Sequence, residues 1–221
     1  ISFGIQNSKS TVKLLSIIKE GSYYKIKIKI NNSKKYFLII NNFQNNIYNV
    51  LASLAVMSIN IDILSLNKNV FLDFQIPNGR GDISNIRINK KNIYLIDESY
   101  NSNPLSLKSA ILNFDKIAKK NSKKYLLLGD MLELGIHSKK LHQSIAPIIN
   151  KTKVDKVFVK GNKAIFIFEK LLKSKKGRIL NCNAQILELI KNDLNNNDYL
   201  MIKASNATGF NKIVNSLKGQ T

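Results

Sequence analysis

The sequence predicts an α/β fold: a mostly parallel sheet covered by helices on both faces, preceded by a smaller β-hairpin and helix. Three observations predict it. From residue 93 onward, short apolar runs alternate five times with stretches whose apolar residues recur at helical spacing. That is the rhythm of strand–helix units joined by right-handed crossovers. Earlier, Tyr23-Tyr24-Lys25-Ile26-Lys27-Ile28-Lys29-Ile30 alternates apolar and basic residues, as a half-buried strand does. Between the two regions, Ile76-Pro77-Asn78-Gly79-Arg80-Gly81 interrupts both patterns with a proline and two glycines, the mark of a boundary. The expected division is 1–75 and 76–221.

Taken in order, Asn31-Asn32-Ser33-Lys34 reads as the hairpin turn, residues 36–40 as the returning strand and 14–18 as a partner strand. A helix follows, with Ile47, Val50, Leu51, Leu54, Ala55 and Ser58 along one face. At its start Asn46 and Asn49 lie three apart and share a face. Two carboxamides there either cap the helix or read a purine edge, since an amide both donates and accepts. A short helix opens at 62–66. Beyond the boundary, strands are expected at 93–97, 124–129, 157–159, 178–180 and 199–203, and helices at 104–119, 138–150, 163–172, 184–192 and 210–217.

A hydrophobic fraction of 44% over 221 residues is enough for a packed core. The formal charge of +21 by itself suggests a polyanion partner. Against that, lysine far outnumbers arginine, and the basic residues are scattered over every segment beside abundant Asn and Ile. A base-reading surface uses arginine, and single-strand binders line a stripe with aromatics. Nucleic acid is therefore not the expected partner. The chain starts at Ile1-Ser2-Phe3-Gly4 without Met, which reads as the middle of a longer protein. No run reaches the roughly 18 apolar residues of a membrane span. The single cysteine, Cys182, rules out an internal disulfide framework, fits a reducing cytoplasm and reads as a buried or incidental thiol. His137 and His142 are five apart, not the four that stacks two ligands on a helix face. They read as surface or capping residues, and no metal site is expected.

The stretch with the most chemistry is Asp97-Glu98-Ser99-Tyr100-Asn101-Ser102-Asn103-Pro104, polar residues gathered where a strand hands over to a helix. In open α/β sheets ligands bind in the crevice beyond the carboxyl ends of the strands. Capping by Ser102 or Asn103 ahead of Pro104 accounts for part of it. Three more loops come to the same sheet edge: residues 129–135 with Asp130 and Glu133 between two glycines, residues 161–163, and residues 203–209 with Lys203 and Ser205. Arg80, between Gly79 and Gly81, is a guanidinium with open backbone approach, suited to a phosphate or carboxylate.

The order of Asn46-Ile47-Tyr48-Asn49, Pro77-Asn78-Gly79-Arg80-Gly81, Ile96-Asp97-Glu98-Ser99-Tyr100-Asn101-Ser102-Asn103-Pro104, Leu128-Gly129-Asp130-Met131-Leu132-Glu133-Leu134-Gly135 and Lys203-Ala204-Ser205-Asn206 resembles the Mur ligase family over nearly the whole chain. The two longest of these segments are those of the member that adds D-alanyl-D-alanine to UDP-N-acetylmuramoyl-tripeptide. The resemblance implies that residues 1–75 are the tail of a central ATP-binding domain and 76–221 a Rossmann-like C-terminal domain. It implies an ATP- and Mg²⁺-dependent amide ligase of cytoplasmic peptidoglycan synthesis, with the missing N-terminal part of the same protein as a partner. Asn46 and Asn49 would lie near the adenine, Arg80 near the phosphates and Asp97 near the ribose. Tyr100, Asn101 and Asn103 would line the cleft, Lys203 and Ser205 its far wall, with Asp130 and Glu133 close by. The alternatives are another amino-acid ligase of the same superfamily and a non-catalytic nucleotide- or nucleic-acid-binding module.

The chain departs from the family pattern at four places. Asn45 stands where a His is usual, Glu98 replaces an Asp, and Lys203-Ala204-Ser205-Asn206 stands for Lys-Gly-Ser-Arg. No G-x-x-G-K-[ST] phosphate loop occurs. That loop's N–H cradle and lysine hold the β- and γ-phosphates, and the family's Mg²⁺ ligands also lie upstream. No residue of this chain is therefore assigned a catalytic role, and the chain alone is expected to be inactive.

Overall fold

Alternation along Tyr23–Ile30 sends Ile26, Ile28 and Ile30 to one side, where they are buried, and Lys25, Lys27 and Lys29 to the other. The computed structural model describes residues 1–40, 44–73, 77–117 and 121–219, with Gln44 and Asn45 as backbone only, and places this alternation in a four-stranded sheet. Its strands are β1 (Phe3–Gly4), β2 (Val12–Glu20), β3 (Tyr23–Ile30) and β4 (Ser33–Ile39), side by side in chain order. β2, β3 and β4 pair antiparallel, while the two-residue β1 runs parallel to β2. Helix α1 (Gln44–Met57) lays Ile47, Leu51 and Leu54 against Ile26, Ile28 and Phe37. Asp62 caps a single 3₁₀ turn, Ile63–Ser65, by accepting from the Leu64 N–H.

The chain divides into two compact units, Ile1–Gln75 and Ile76–Thr221. The second is built on a six-stranded sheet. Its elements are β5 (Asp82–Ile88), β6 (Lys91–Glu98), α2 (Pro104–Lys116), β7 (Lys124–Leu128), α3 (Ser138–Gln143), α4 (Ala146–Asn150), β8 (Lys156–Val159), α5 (Ile165–Glu169), β9 (Lys176–Ile179), α6 (Ala184–Asn192), β10 (Tyr199–Lys203) and α7 (Phe210–Lys218). The spatial order is β5-β6-β10-β7-β8-β9, with every pairing parallel except β5 with β6. Successive residues of the central strands serve opposite faces. Leu126, Leu128 and Met201 join α2, α4 and α5 in one core, whereas Leu127, Leu200 and Ile202 join α6 and α7 in the other. Both faces are covered, so the strands read as continuous apolar runs.

The two-residue β1 was not expected, the strand expected at 178–180 lies at Lys176–Ile179, and three elements of the second unit differ further. β5 was not expected, because only Ile86 and Ile88 of its seven residues are buried and its turn lacks glycine. Asn89 and Lys90 both take positive φ there, closing a two-residue hairpin whose usual sequence sign is Asn-Gly. The single helix expected over 138–150 is two, parted at Ser144 and Ile145, because Pro147 lacks the N–H a continuous helix would need. The helix expected over 163–172 contracts to Ile165–Glu169.

Candidate functional site

β10 sits between β6 and β7, but the chain enters it from α6, on the opposite face from α2. Register brings the ends of all three strands level: Lys203 pairs with Glu98 on one side and Leu128 on the other. The loop after β10 then leaves toward one face while its neighbours leave toward the other. This reversal opens a crevice at the carboxyl ends of the strands, the usual ligand position of such sheets. It is a cleft of about 380 Å³ lined by Tyr100, Asn101, Leu132, Glu133, Ser205, Asn206 and Ala207. Four of the sequence candidates, Tyr100, Asn101, Glu133 and Ser205, therefore meet at one place.

The remaining candidates build its walls. Asp97 is 2% exposed. One of its oxygens accepts from the Ser99 N–H (3.0 Å) and Oγ (2.6 Å), the other from Lys218 Nζ (2.9 Å). Little of this carboxylate is left for a ligand. Lys203 is equally buried, its ammonium donating to Glu98 Oε2 (3.1 Å) and to the Asn101 carbonyl (2.9 Å). It is a strut under the cleft and does not present its charge to solvent. Asn103 is the N-cap of α2 in a capping box with Ser106, so the capping reading holds for this residue.

Ser205 stitches three loops together. Its Oγ donates to the Ser102 carbonyl (3.1 Å) and accepts from the Leu132 N–H (2.9 Å), while its N–H donates to the Asp130 carbonyl (3.0 Å). Asp130 faces away from the cleft, its Oδ1 accepting from the Lys163 and Ala164 N–H groups at 2.9 and 2.7 Å. It lines a second hollow, of about 360 Å³, with Lys160, Asn162, Asn181 and Thr208. Gly161 lies against this carboxylate at φ 136°, where a Cβ would overlap it.

Arg80 and Tyr100 form the outer rim. The guanidinium stacks on the phenol ring at 4.3 Å, and both side chains are exposed. Gly79 makes the approach: at φ 79° it leaves room for the Tyr100 backbone, and a Cβ would come within 2.9 Å of it. Asn46 and Asn49 belong to the first unit, in the first turns of α1, the former half-buried and the latter exposed. The side chain of Asn45 lies outside the described residues.

Three contributors escape sequence reasoning. His142 is fully buried, correcting the surface-or-cap reading, whereas His137 is exposed. The His142 Nδ1–H donates to the Ser138 carbonyl (2.8 Å), leaving Nε2 to accept from the Met131 N–H (3.0 Å). Burial lowers its pKa against the raising effects of the Ser138 hydrogen bond and Asp130. It is a neutral post for the 129–135 loop, and no periodicity announces it. Lys218 is the second. Burial works against its ammonium, but hydrogen bonds to Asp82 and Asp97 outweigh this and raise its pKa. The third is Ser102, 2% exposed, whose hydroxyl meets no partner among the described residues. Cys182 is exposed, so the buried alternative does not hold. No group of three or more His, Cys, Asp and Glu that could hold a metal occurs among the described residues, and none of their helices is long and apolar enough to cross a membrane.

Comparison with known proteins adds to this geometry. Residues 85–206, just over half of the chain, match the family model described as Mur ligase, glutamate ligase domain. The UDP-N-acetylmuramoyl-tripeptide–D-alanyl-D-alanine ligase of Rickettsia prowazekii is 28% identical over 218 residues, 96% of this chain and 46% of the relative. The ligase of the same name from Bacillus subtilis is 33% identical over 56% of this chain and 27% of its own length. Among solved structures, the MurF ligase of Thermotoga maritima in complex with ADP superposes over 99% of this chain and 48% of its own, with a TM-score of 0.73 and 20% identity. MurF from Acinetobacter baumannii gives 0.77 at 19% identity, over 99% of this chain and 46% of its own. The chain thus spans about half the length of relatives that match it end to end.

Proposed function

The chain belongs to the Mur ligase family, and from that premise we propose that it is the C-terminal portion of an ATP-dependent ligase joining D-alanyl-D-alanine to UDP-N-acetylmuramoyl-tripeptide in peptidoglycan synthesis. In this reading residues 1–75 are the tail of the central ATP-binding domain and 76–221 the C-terminal domain. The γ-phosphoryl group of ATP passes to the tripeptide's terminal carboxylate, and ADP leaves. The dipeptide amine then attacks the acyl carbon, and phosphate leaves as the amide bond forms. The observation that carries the proposal is the crevice beside β10, where Tyr100 and Asn101 of one motif face Leu132 and Glu133 of the other across Ser205.

The residues present suit part of this chemistry. Arg80, exposed and oriented by Tyr100, can meet a phosphate and offset charge developing on it. Glu133, exposed at the cleft rim, can hold the ammonium of an incoming dipeptide. Asp97 and Lys203 support the Tyr100–Asn101 side of the cleft from below. Nothing in the sequence supplies the N–H cradle for the β- and γ-phosphates, so phosphate loop and Mg²⁺ ligands are assigned to a preceding part of the protein, and Mg²⁺ would there screen the phosphoryl charge.

Phosphate release tests the proposal. The full-length protein carrying this chain, given ATP, UDP-N-acetylmuramoyl-tripeptide and D-alanyl-D-alanine, should release phosphate only when all three are present, and the 221-residue chain alone should release none. No product from the full-length protein would end the assignment. The description of the family model favours a second reading, in which a single amino acid such as glutamate is the acceptor. Glutamate replacing the dipeptide in the same assay, with equal or better product formation, would select it.

A further inference from the structure

We propose that Lys218 is a positioning residue for the ATP-facing rim of the crevice, acting through Asp82 and Asp97. The register of β5 on β6 sets Asp82 directly opposite Asp97, and like charges in facing positions of a strand pair repel. Lys218, at the end of α7, donates to both: 2.6 Å to Asp82 Oδ2 and 2.9 Å to Asp97 Oδ2. Each carboxylate then spends its other oxygen on a loop. Asp82 Oδ1 accepts the Gly79 N–H at 2.9 Å, and Asp97 Oδ1 accepts the Ser99 N–H at 3.0 Å.

Those loops carry Arg80 and Tyr100, and they are joined to each other. The Tyr100 N–H donates to the Gly79 carbonyl at 3.1 Å, and the Gly81 N–H to the Asp97 carbonyl at 2.7 Å. One ammonium therefore neutralises two carboxylates whose far oxygens hold both halves of the Arg80–Tyr100 stack. Lys218 itself need touch no ligand. Without it the facing carboxylates separate, and the two loops they hold lose register with one another. The assignment to ATP rests on the function proposed above, whereas the clamp itself does not.

Residue-resolved amide hydrogen exchange on the full-length protein tests the clamp. Lys218→Met should speed exchange at Gly79, Gly81, Ser99 and Tyr100 by roughly tenfold or more, with Leu126, Leu127 and Leu128 unchanged. Lys218→Arg should stay near the parent, and Asp82→Asn added to Lys218→Met should restore much of the protection by removing the repulsion. Unchanged exchange at the four amides, or acceleration spread evenly over the second unit, overturns the clamp. In the ligase assay Lys218→Met should raise KM for ATP several-fold with a smaller change in kcat. Loosened loops with an unchanged KM for ATP would overturn the ATP assignment and leave the clamp standing. A parent without ligase activity would count against the proposed function, with the exchange result still deciding the clamp.

Discussion

The loop after β6 and the loop after β7 leave the sheet on either side of β10, yet they are held by different means. The first is held by charge: Asp97 on Lys218, and Glu98 on a lysine buried beneath the loop. Where it meets the cleft, at Met131 and Leu132, the second is held by neutral groups: the His142 imidazole on the Met131 N–H and the Ser205 hydroxyl on the Leu132 N–H. Its one anchored carboxylate, Asp130, takes backbone N–H groups on the far side. What each leaves exposed follows from this. The charge-held loop spends its acids on the scaffold and offers an aromatic ring and an amide. The neutrally held loop keeps Glu133 free for solvent, at φ 63°. The candidate site thus has a stacking rim from one loop and an acidic rim from the other, and the groups that support the two rims differ in kind.

The largest expected effect breaks the charge-held side. Glu98→Gln leaves the Lys203 ammonium buried without a counter-ion, which costs about 3 kcal/mol, and denaturant unfolding should show it as a lowered midpoint at unchanged m-value. Next is Gly161→Ala. A methyl there collides with the Asp130 carboxylate in a backbone conformation that L residues avoid, at an expected cost of about 2 kcal/mol, visible as a fall in melting temperature.

pH separates the two loops further. Since burial lowers the His142 pKa below the ordinary 6.5, its contribution is whole above pH 6.5 and is lost as pH falls from there through the folded value. Stability should therefore slope downward below pH 6.5, with Met131 and Leu132 amides losing protection before those of Ser99 and Tyr100. His142→Gln should flatten that slope; an identical slope in the variant would show that another group governs it. The smallest effect is expected from Ser102→Ala. Removing a buried hydroxyl that meets no partner among the described residues should change stability by less than about 1 kcal/mol, in the favourable direction. A clear loss would mean that Ser102 has a partner in solution.

Much of the fold was legible because it rests on local patterns. Period-2 alternation found β3, helical spacing found α1, α2, α6 and α7, and continuous apolar runs found β6, β7, β8 and β10. β5 escaped because its hairpin turn uses Asn-Lys where glycine would signal it, and α3 and α4 share one helical spacing that continues across the break ahead of Pro147. Of the site, Tyr100, Asn101, Glu133 and Ser205 were legible as polar residues following strand ends. His142 and Lys218 were not, since each acts through a partner distant in sequence.

By itself the sequence determined which segments become strands and helices, which strand ends carry polar loops, and which family motifs those loops resemble. These depend on spacing and residue type, which local sterics and burial translate directly into structure. Tertiary structure alone decided that β10 returns between β6 and β7, and with it which loops meet and which charges are buried. It gave Asp97 and Lys203 their partners within the chain, Lys218 and Ser99 for the one, Glu98 and the Asn101 carbonyl for the other. Whether a charge faces solvent or a counter-ion depends on the strand pairing around it, and no single segment contains that information.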